Sequence, residues 1–515
     1  MSTKENEVKN GRKSIRSLVF YPTFSLLILT IILNFVSEEG FIAVTSTASD
    51  FMTEDLGWIF SIVALISLVM VVAAYFSPLG NVRLGGENAK PILTKKSWFA
   101  ISLTTTIASG IMFWGTAEPI SHLAYPPDHI EPMTVDAALF AMETMFTHWT
   151  FLPYAIYTVP ALVFGFAYYN MKRPFSIGSE IGPIIGAEKQ KRFDSAIDAI
   201  ILFALATGIA SSFATAVVNT GSGINALTGI ADTTGLYIFI TVGATILFTA
   251  TSSSGLFKGI RYLANFNVYL YFFILAAFVI LGPTVYMFSL GTEAFGGFLS
   301  NFFDNALFTG AAAGDDWATG WTTFYWTNWM AWAPVTAVFL ARIAYGYTIK
   351  EMITMTFFIP ASFSVIWMTI VSGISINFQM AGVVDLVEVF NEAGEGAVAY
   401  ELMAQLPFGF LISAVYLIAV VITFATATDS TTNAMSGIST TGIEGADDEA
   451  PVYMKTLWGA IIGVVAVIFL TVFEVDGIRI LSYLGGIPAL VIAILSIISL
   501  IFLINSPSRF NKIDE

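Results

Sequence analysis

The chain contains no cysteine and only three histidines, His122, His129 and His148. The first absence excludes disulfides, thiolate metal sites and cysteine nucleophiles together. The second leaves little material for a histidine-rich metal centre. Charge is scarce as well. Asp, Glu, Lys and Arg make up 11% of residues, against about a quarter in an ordinary soluble protein. There is no HExxH, no GxSxG with a partner histidine in position and no GxxxxGK[ST] phosphate loop. An enzyme of those classes and a nucleotide-driven pump are therefore poor readings of this chain. No soluble domain is visible either, since the longest loops between apolar runs are 289–318 and 376–407.

What is present is apolar. Hydrophobic residues are 56% of 515, with 45 Phe and 11 Trp, and the mean hydropathy is +0.76. A helix needs about 20 mostly apolar residues to cross a bilayer. Twelve runs qualify, near 18–36, 56–76, 98–115, 137–170, 196–218, 236–252, 266–288, 319–341, 353–375, 408–428, 455–473 and 480–504. The first follows a basic segment and lacks a small-residue cleavage site, so it reads as a span and not as a signal peptide. The fourth is longer than a crossing requires and is expected to tilt or protrude. The sequence thus predicts an all-α membrane protein.

Loop charge predicts the orientation, because cytoplasmic loops retain Lys and Arg. With both termini inside, 21 of the 22 Lys and Arg fall on the inner side, and only Arg479 lies outside. The expected location is the cytoplasmic membrane, crossed many times. The loops after spans 1 and 9 are acidic, with Glu38, Glu39, Asp50, Glu54 and Asp55 in one and Asp385, Glu388, Glu392, Glu395 and Glu401 in the other. Such a surface attracts cations; exclusion of basic residues alone also explains it.

Five segments carry chemistry. Between Trp321 and Pro334 the chain reads WTTFYWTNWMAWAP. On a helix, Trp321, Tyr325, Trp329 and Trp332 share an arc of about 80°, with Trp326 about 60° beyond it. Several indoles on one face attract a methylated ammonium through cation–π contacts of about 0.5–2 kcal/mol each. A membrane-interface belt of Trp is the plainer alternative. Pro334 is expected to interrupt this helix, and broken helices at mid-membrane are where transporters bind substrate. Span 4 offers Phe146, Phe151 and Tyr154 beside His148 and Trp149, or simply core packing. Span 3 carries Thr104, Thr105, Thr106, Ile107, Ala108, Ser109 and Gly110, small and hydroxylated residues that permit close packing or unwinding. Span 10 ends in Thr423, Thr426, Thr428 and Asp429, and span 5 holds Thr207, Ser211 and Ser212. These are oxygen ligands suited to Na⁺, or ordinary capping groups.

Gly110–Pro127, His148–Gly186, Gly255–Asn267 and Phe324–Glu351 together resemble the betaine/choline/carnitine transporter family, over about residues 18–505. The resemblance implies twelve spans, with leucine-transporter-type inverted repeats at 97–290 (spans 3–7) and 291–504 (spans 8–12). Two additional spans at 18–96 precede them, flanked by cytoplasmic tails at 1–17 and 505–515. It implies a homotrimer in the lipid bilayer, with no nucleic-acid partner and no cofactor beyond a coupling Na⁺. It also implies an aromatic box for an onium substrate formed by Phe146, Phe151, Tyr154, Tyr325, Trp326 and Trp329, with secondary contacts from Thr105, Ile107 and Trp332. The matching ion positions are Thr426 and Ala108 at one site and Thr207 and Ser211 at another.

Phe146, Phe151 and Tyr325 stand where betaine importers of the family often carry Trp, and the span 3 segment is less glycine-rich than theirs. Both departures shift the expected substrate toward a smaller onium such as trimethylamine. The expected activity is import of that compound by Na⁺-coupled alternating access, without enzymatic chemistry. The alternatives are a glycine betaine, choline or carnitine symporter and an onium-sensing membrane receptor.

Overall fold

The computed structural model of the chain describes residues 13–107, 110–253, 256–442 and 450–513. Within these, the side chains of 104–107, 187–192, 248–253, 256–261 and 430 are not described. Secondary structure among the described residues is helical, apart from isolated bridges joining Ile15 to Thr440 and Arg83 to Thr348.

The principal helices begin with α1 (Ser17–Val36), α2 (Gly57–Phe76), α3 (Lys95–Ile107), α4 (Gly110–Ala124) and α5 (Val135–Trp149). They continue with α6 (Phe151–Tyr169), α7 (Ala187–Thr228), α8 (Thr234–Ser253), α9 (Leu256–Leu281) and α10 (Phe324–Ile343). The last four are α11 (Ile359–Met380), α12 (Gly409–Ile438), α13 (Val452–Phe473) and α14 (Asp476–Asn505). Shorter helices lie between them.

Nine helical segments among the described residues are long and apolar enough to cross a membrane, and they coincide with expected spans 1, 2, 4, 5, 7, 9, 10, 11 and 12. The other three differ for local reasons. Span 3 is described as two short helices, α3 and α4, and Ala108 and Ser109 lie outside the described residues. Span 6 contributes a shorter apolar helix, Thr234–Leu247. Span 8 is α10, 20 residues long but filled with Trp, Tyr and Asn.

Two local expectations change. The long fourth run is not one continuous helix. It breaks at Thr150, whose φ and ψ are −118° and −110°. Pro153 explains the break: its ring removes an N–H and crowds the carbonyl four residues earlier, on Trp149. Conversely, Pro334 does not interrupt α10, which continues through it to Ile343. The irregularity of that segment precedes the helix, as a π-helical turn at Thr319–Thr323.

Burial sorts the helices into layers. The apolar stretch of α1 is 22% buried and presents Leu18, Leu29 and Phe35 outward, the pattern of a lipid-facing helix. The α5–α6 stretch is 94% buried. Helix α10 packs against α6, α7 and α14 at the centre. Small residues make that possible. A Cβ on Gly208 of α7 would stand 2.9 Å from the Ala331 Cβ on α10. One on Gly485 of α14 would stand 2.6 Å from the Thr207 hydroxyl. Backbones this close gain van der Waals contact that lipid cannot supply.

Candidate substrate cavity

Helices α4, α5, α6, α7 and α10 line a cavity of about 30 Å³ whose walls are mainly aromatic: Trp114, Trp149, Tyr157, Tyr325, Trp329 and Trp332. Ser212, Thr215 and Asn328 add polar edges. The rings meet at steep angles, with Trp149 5.2 Å from Tyr325 and 5.5 Å from Trp329, and Tyr157 4.9 Å from Trp329. Edge-to-face contacts of this kind favour aromatic pairs beyond simple burial.

Four of these six rings have their polar atoms committed to protein partners. Trp149 Nε1 donates to Glu118 Oε2 at 2.6 Å, and the Tyr325 hydroxyl donates to the same oxygen at 2.5 Å. Trp329 Nε1 donates to the His148 carbonyl at 3.2 Å, and Trp332 Nε1 to the Gly208 carbonyl at 2.9 Å. With these four donors engaged by protein acceptors, what the rings can still offer a ligand is their π systems, which attract a poorly hydrated cation.

Glu118 is the hub of these bonds. It is fully buried on α4, and its Oε1 lies 3.1 Å from His122 Nε2 and 2.8 Å from His148 Nδ1. His148 Nε2 in turn lies 3.1 Å from the Thr322 hydroxyl. Two of the three histidines in the chain therefore serve one carboxylate. Glu118, His122 and His148 offer three ligand atoms within 4.8 Å of one another and are the residues that could hold a metal ion. A carboxylate inside a membrane span is a functional-site signal in its own right, and sequence reasoning passed over this one.

A second, wider cavity of about 390 Å³ lies beside the first, lined by Asp136, Glu143, Asp304, Phe140, Phe308 and Trp317. His148 and Thr322 form part of its wall. Glu143 is oriented by Asn305 Nδ2 at 3.2 Å. His148 and Tyr325, which stack 4.6 Å apart at 28°, stand between the two cavities.

Of the residues expected to contact substrate, Tyr325, Trp329 and Trp332 line the aromatic cavity. Phe146 packs instead against Phe295 and Phe298, and Phe151 against Phe298 and Phe357. Tyr154 bonds to Ser364 at 2.9 Å, its ring 6.1 Å from Trp329. Trp326 is fully buried with its ring edge toward His148. The side chains of Thr105 and Ile107 lie outside the described residues. Trp114, Trp149 and Tyr157 line the cavity although the sequence reading did not select them. The break at Thr150 turns α6 relative to α5, so the helical-wheel angles that joined Phe146, Phe151 and Tyr154 do not hold.

The expected ion residues fall in two places. Thr207 donates to the Ala204 carbonyl at 3.0 Å. Ser211 donates to the Ile478 carbonyl at 2.7 Å and lies 2.8 Å from the Ser482 hydroxyl. Both residues sit on α7 against α14. Thr426, on α12, donates to the Ile422 and Thr423 carbonyls at 3.0 Å each. Ala108 lies outside the described residues.

Charge also gathers at the opposite end of the bundle. Arg16 Nη1 donates to Asp198 Oδ2 at 2.7 Å and to the Ile438 carbonyl at 2.8 Å. Asp198 Oδ1 accepts from Ser176 Oγ at 2.9 Å and from the Gly178 N–H at 3.1 Å. Nearby, Glu180 is buried between spans, accepts from the Ser496 hydroxyl and keeps Oε1 without a partner. Burial pushes its carboxyl up to about 8; the Ser496 bond opposes the rise and the charge of Asp198 adds to it.

The family described as BCCT, betaine/carnitine/choline family transporter, matches residues 18–508. The glycine betaine transporter OpuD of Bacillus subtilis is 27% identical over 486 residues, covering 94% of this chain and 93% of its own. The ectoine/hydroxyectoine transporter of Virgibacillus pantothenticus is 25% identical over 492 residues, covering 95% and 96%. Among solved structures, a Na⁺-coupled sialic acid symporter aligns over 88% of this chain and 83% of its own at 15% identity. Its TM-score of 0.39 is too low to carry an argument. With nearly the whole length matched, this chain belongs to the betaine/carnitine/choline family of membrane transporters.

Proposed function

We propose that the protein imports a methylated ammonium solute across the cytoplasmic membrane by alternating access, with both termini inside and Na⁺ as the coupling ion. The observation that carries the reading is the aromatic cavity, four of whose six named rings have their donors engaged by the protein, leaving π systems for a cation. The wide acidic cavity is the entry vestibule in this reading, since Asp136, Glu143 and Asp304 draw cations toward it. Na⁺ binds near Thr426, where Thr423, Thr426 and Thr428 cluster midway along α12. Thr207 and Ser211 form the second candidate, beside the close contact of α7 with α14.

The solute is of the glycine betaine class, in keeping with relatives named as glycine betaine and ectoine transporters. Trimethylamine is the second reading; at about 30 Å³ as it stands, the cavity must widen for either solute. The inverted-repeat reading draws support from the meeting of α4 with the start of span 8, where Trp114 lies 5.6 Å from Trp321 and 6.4 Å from Tyr325. The homotrimer is tested by the mass of the detergent-solubilised protein.

The deciding experiment is uptake into proteoliposomes under an inward Na⁺ gradient, comparing glycine betaine, choline and trimethylamine. Saturable, Na⁺-dependent uptake of one of them is expected. Binding without flux would make the protein a receptor. Uptake indifferent to Na⁺ would remove the ion assignment while leaving the cavity intact.

A further inference from the structure

We propose that Glu118 is the counter-charge of the aromatic cavity, selecting cations through Trp149 and Tyr325 without touching the solute. The inference rests on the reading of that cavity as the onium site. Oε2 accepts from Trp149 and Tyr325, both cavity walls, while Oε1 faces His122 Nε2 and His148 Nδ1. An indole N–H can only donate, and an ionised carboxylate, which has no proton of its own to place, accepts all four of these bonds. The bonds at Oε2 are as short as charge-assisted ones. With each imidazole giving one N–H to Oε1, His148 Nε2 is free to accept from Thr322, and only the Nδ1 lone pair of His122 stays without a partner. The unpartnered, buried Nδ1 of His122 speaks against a second proton there, and with Thr322 donating to His148 the cluster carries the one negative charge of Glu118.

That charge lies one ring behind the cavity wall, inside a buried region where screening is weak. Arg479, a basic group on this side among the described residues, sits 4.8 Å from the Trp321 ring and is itself paired with Asp476 at 3.1 Å. A carboxylate accepting from an indole N–H and a phenol O–H also makes those rings more electron-rich, which strengthens their cation–π attraction. Glu118 is thus a positioning residue that both fixes the two rings and sets the sign of the site.

A bound metal is the competing use of the same three residues. It would require both imidazole lone pairs to face the ion, stranding a buried N–H on His122 Nδ1. It would also place positive charge behind a cavity built for cations. The geometry favours the hydrogen-bonded carboxylate on both counts.

The test uses the full chain and two matched pairs of ligands: choline with 3,3-dimethyl-1-butanol, and glycine betaine with 3,3-dimethylbutanoate. Within each pair a quaternary nitrogen is replaced by carbon. Glu118→Gln should weaken the onium member of a pair at least about tenfold while changing its carbon analogue less than about twofold. Equal loss for both members would make Glu118 a scaffold only and overturn the proposal. If Glu118→Gln does not fold, Glu118→Asp decides. Retention of the wild-type onium-to-carbon ratio within about threefold supports a charge role, and collapse of that ratio overturns it. Loss of wild-type onium binding in EDTA would assign the cluster to a metal and also overturn it. Failure of every onium to bind wild-type protein would instead sink the cavity reading itself.

Discussion

Trp149 stands edge-on to Trp329, ring centroids 5.5 Å apart and planes at 79°, with one indole N–H held by Glu118 and the other by the His148 carbonyl. The pair forms a corner of the aromatic cavity, and it joins two helices that the sequence separates by 180 residues.

Removing either face of that corner should cost a cation–π contact of about 1–2 kcal/mol, or roughly 5- to 30-fold in affinity. Trp149→Leu and Trp329→Leu are therefore expected to weaken onium binding by that range. Trp326→Leu, whose ring lies off the cavity against His148, should change affinity less than either. Titration of intrinsic fluorescence with the transported solute checks the order. Equal loss from all three variants would return Trp326 to the box.

The buried pair of Arg16 and Asp198 should show the asymmetry of buried charges. Arg16→Ala leaves the fully buried Asp198 without its guanidinium and is expected to cost about 3–5 kcal/mol. The double variant Arg16→Ala/Asp198→Asn should recover a large part of that loss. Thermal denaturation in detergent, completed as a double-mutant cycle, measures the coupling.

Glu180 gives a pH dependence with a definite sign. Its carboxyl ionises near 8 in the folded protein, against a usual value of 4.5. Below about pH 4.5 it is protonated folded or unfolded, and nothing is lost. As pH rises toward 8 only the unfolded chain ionises, so the fold progressively loses stability, and the full penalty stands above 8. The melting temperature of the wild type should therefore fall relative to Glu180→Gln between about pH 6 and pH 9. Parallel curves for the two proteins would show that Glu180 does not titrate this way.

Gly208 should tolerate no larger side chain. A Cβ there meets the Ala331 Cβ at 2.9 Å and the Ala331 carbonyl carbon at 3.3 Å. Gly208→Val must push α7 away from the helix that carries Trp329 and Trp332. Overpacking of this kind costs about 1–3 kcal/mol, and uptake should fall with the melting temperature. Unchanged uptake and stability would mean the two helices are not held at this separation.

Much of the architecture was legible because lipid imposes a simple requirement. Long apolar runs mark crossing helices, and nine of the twelve expected spans meet that requirement in the structure. The aromatic face from Tyr325 to Trp332 was legible for the same kind of reason, since helical spacing places those rings together. Trp149 and Tyr157 were not found, because a wheel drawn through 137–170 assumes a continuous helix and the chain breaks at Thr150. Glu118 was harder still. Its partners lie 4, 30, 31 and 207 residues away, and the last three meet it only through tertiary packing.

The stacked rings of His148 and Tyr325 have a kinetic meaning as well. They form a partition one aromatic layer thick between a roomy antechamber and a tight chamber. A solute arriving from the wide side meets a turnstile of two side chains before it meets any helix. In the proposed cycle, admission requires the loss of one ring-on-ring contact, while discharge on the far side must part helices that touch through glycine. The two halves of the cycle would then have unequal barriers, entry quick and readily reversed, exit slow and committing.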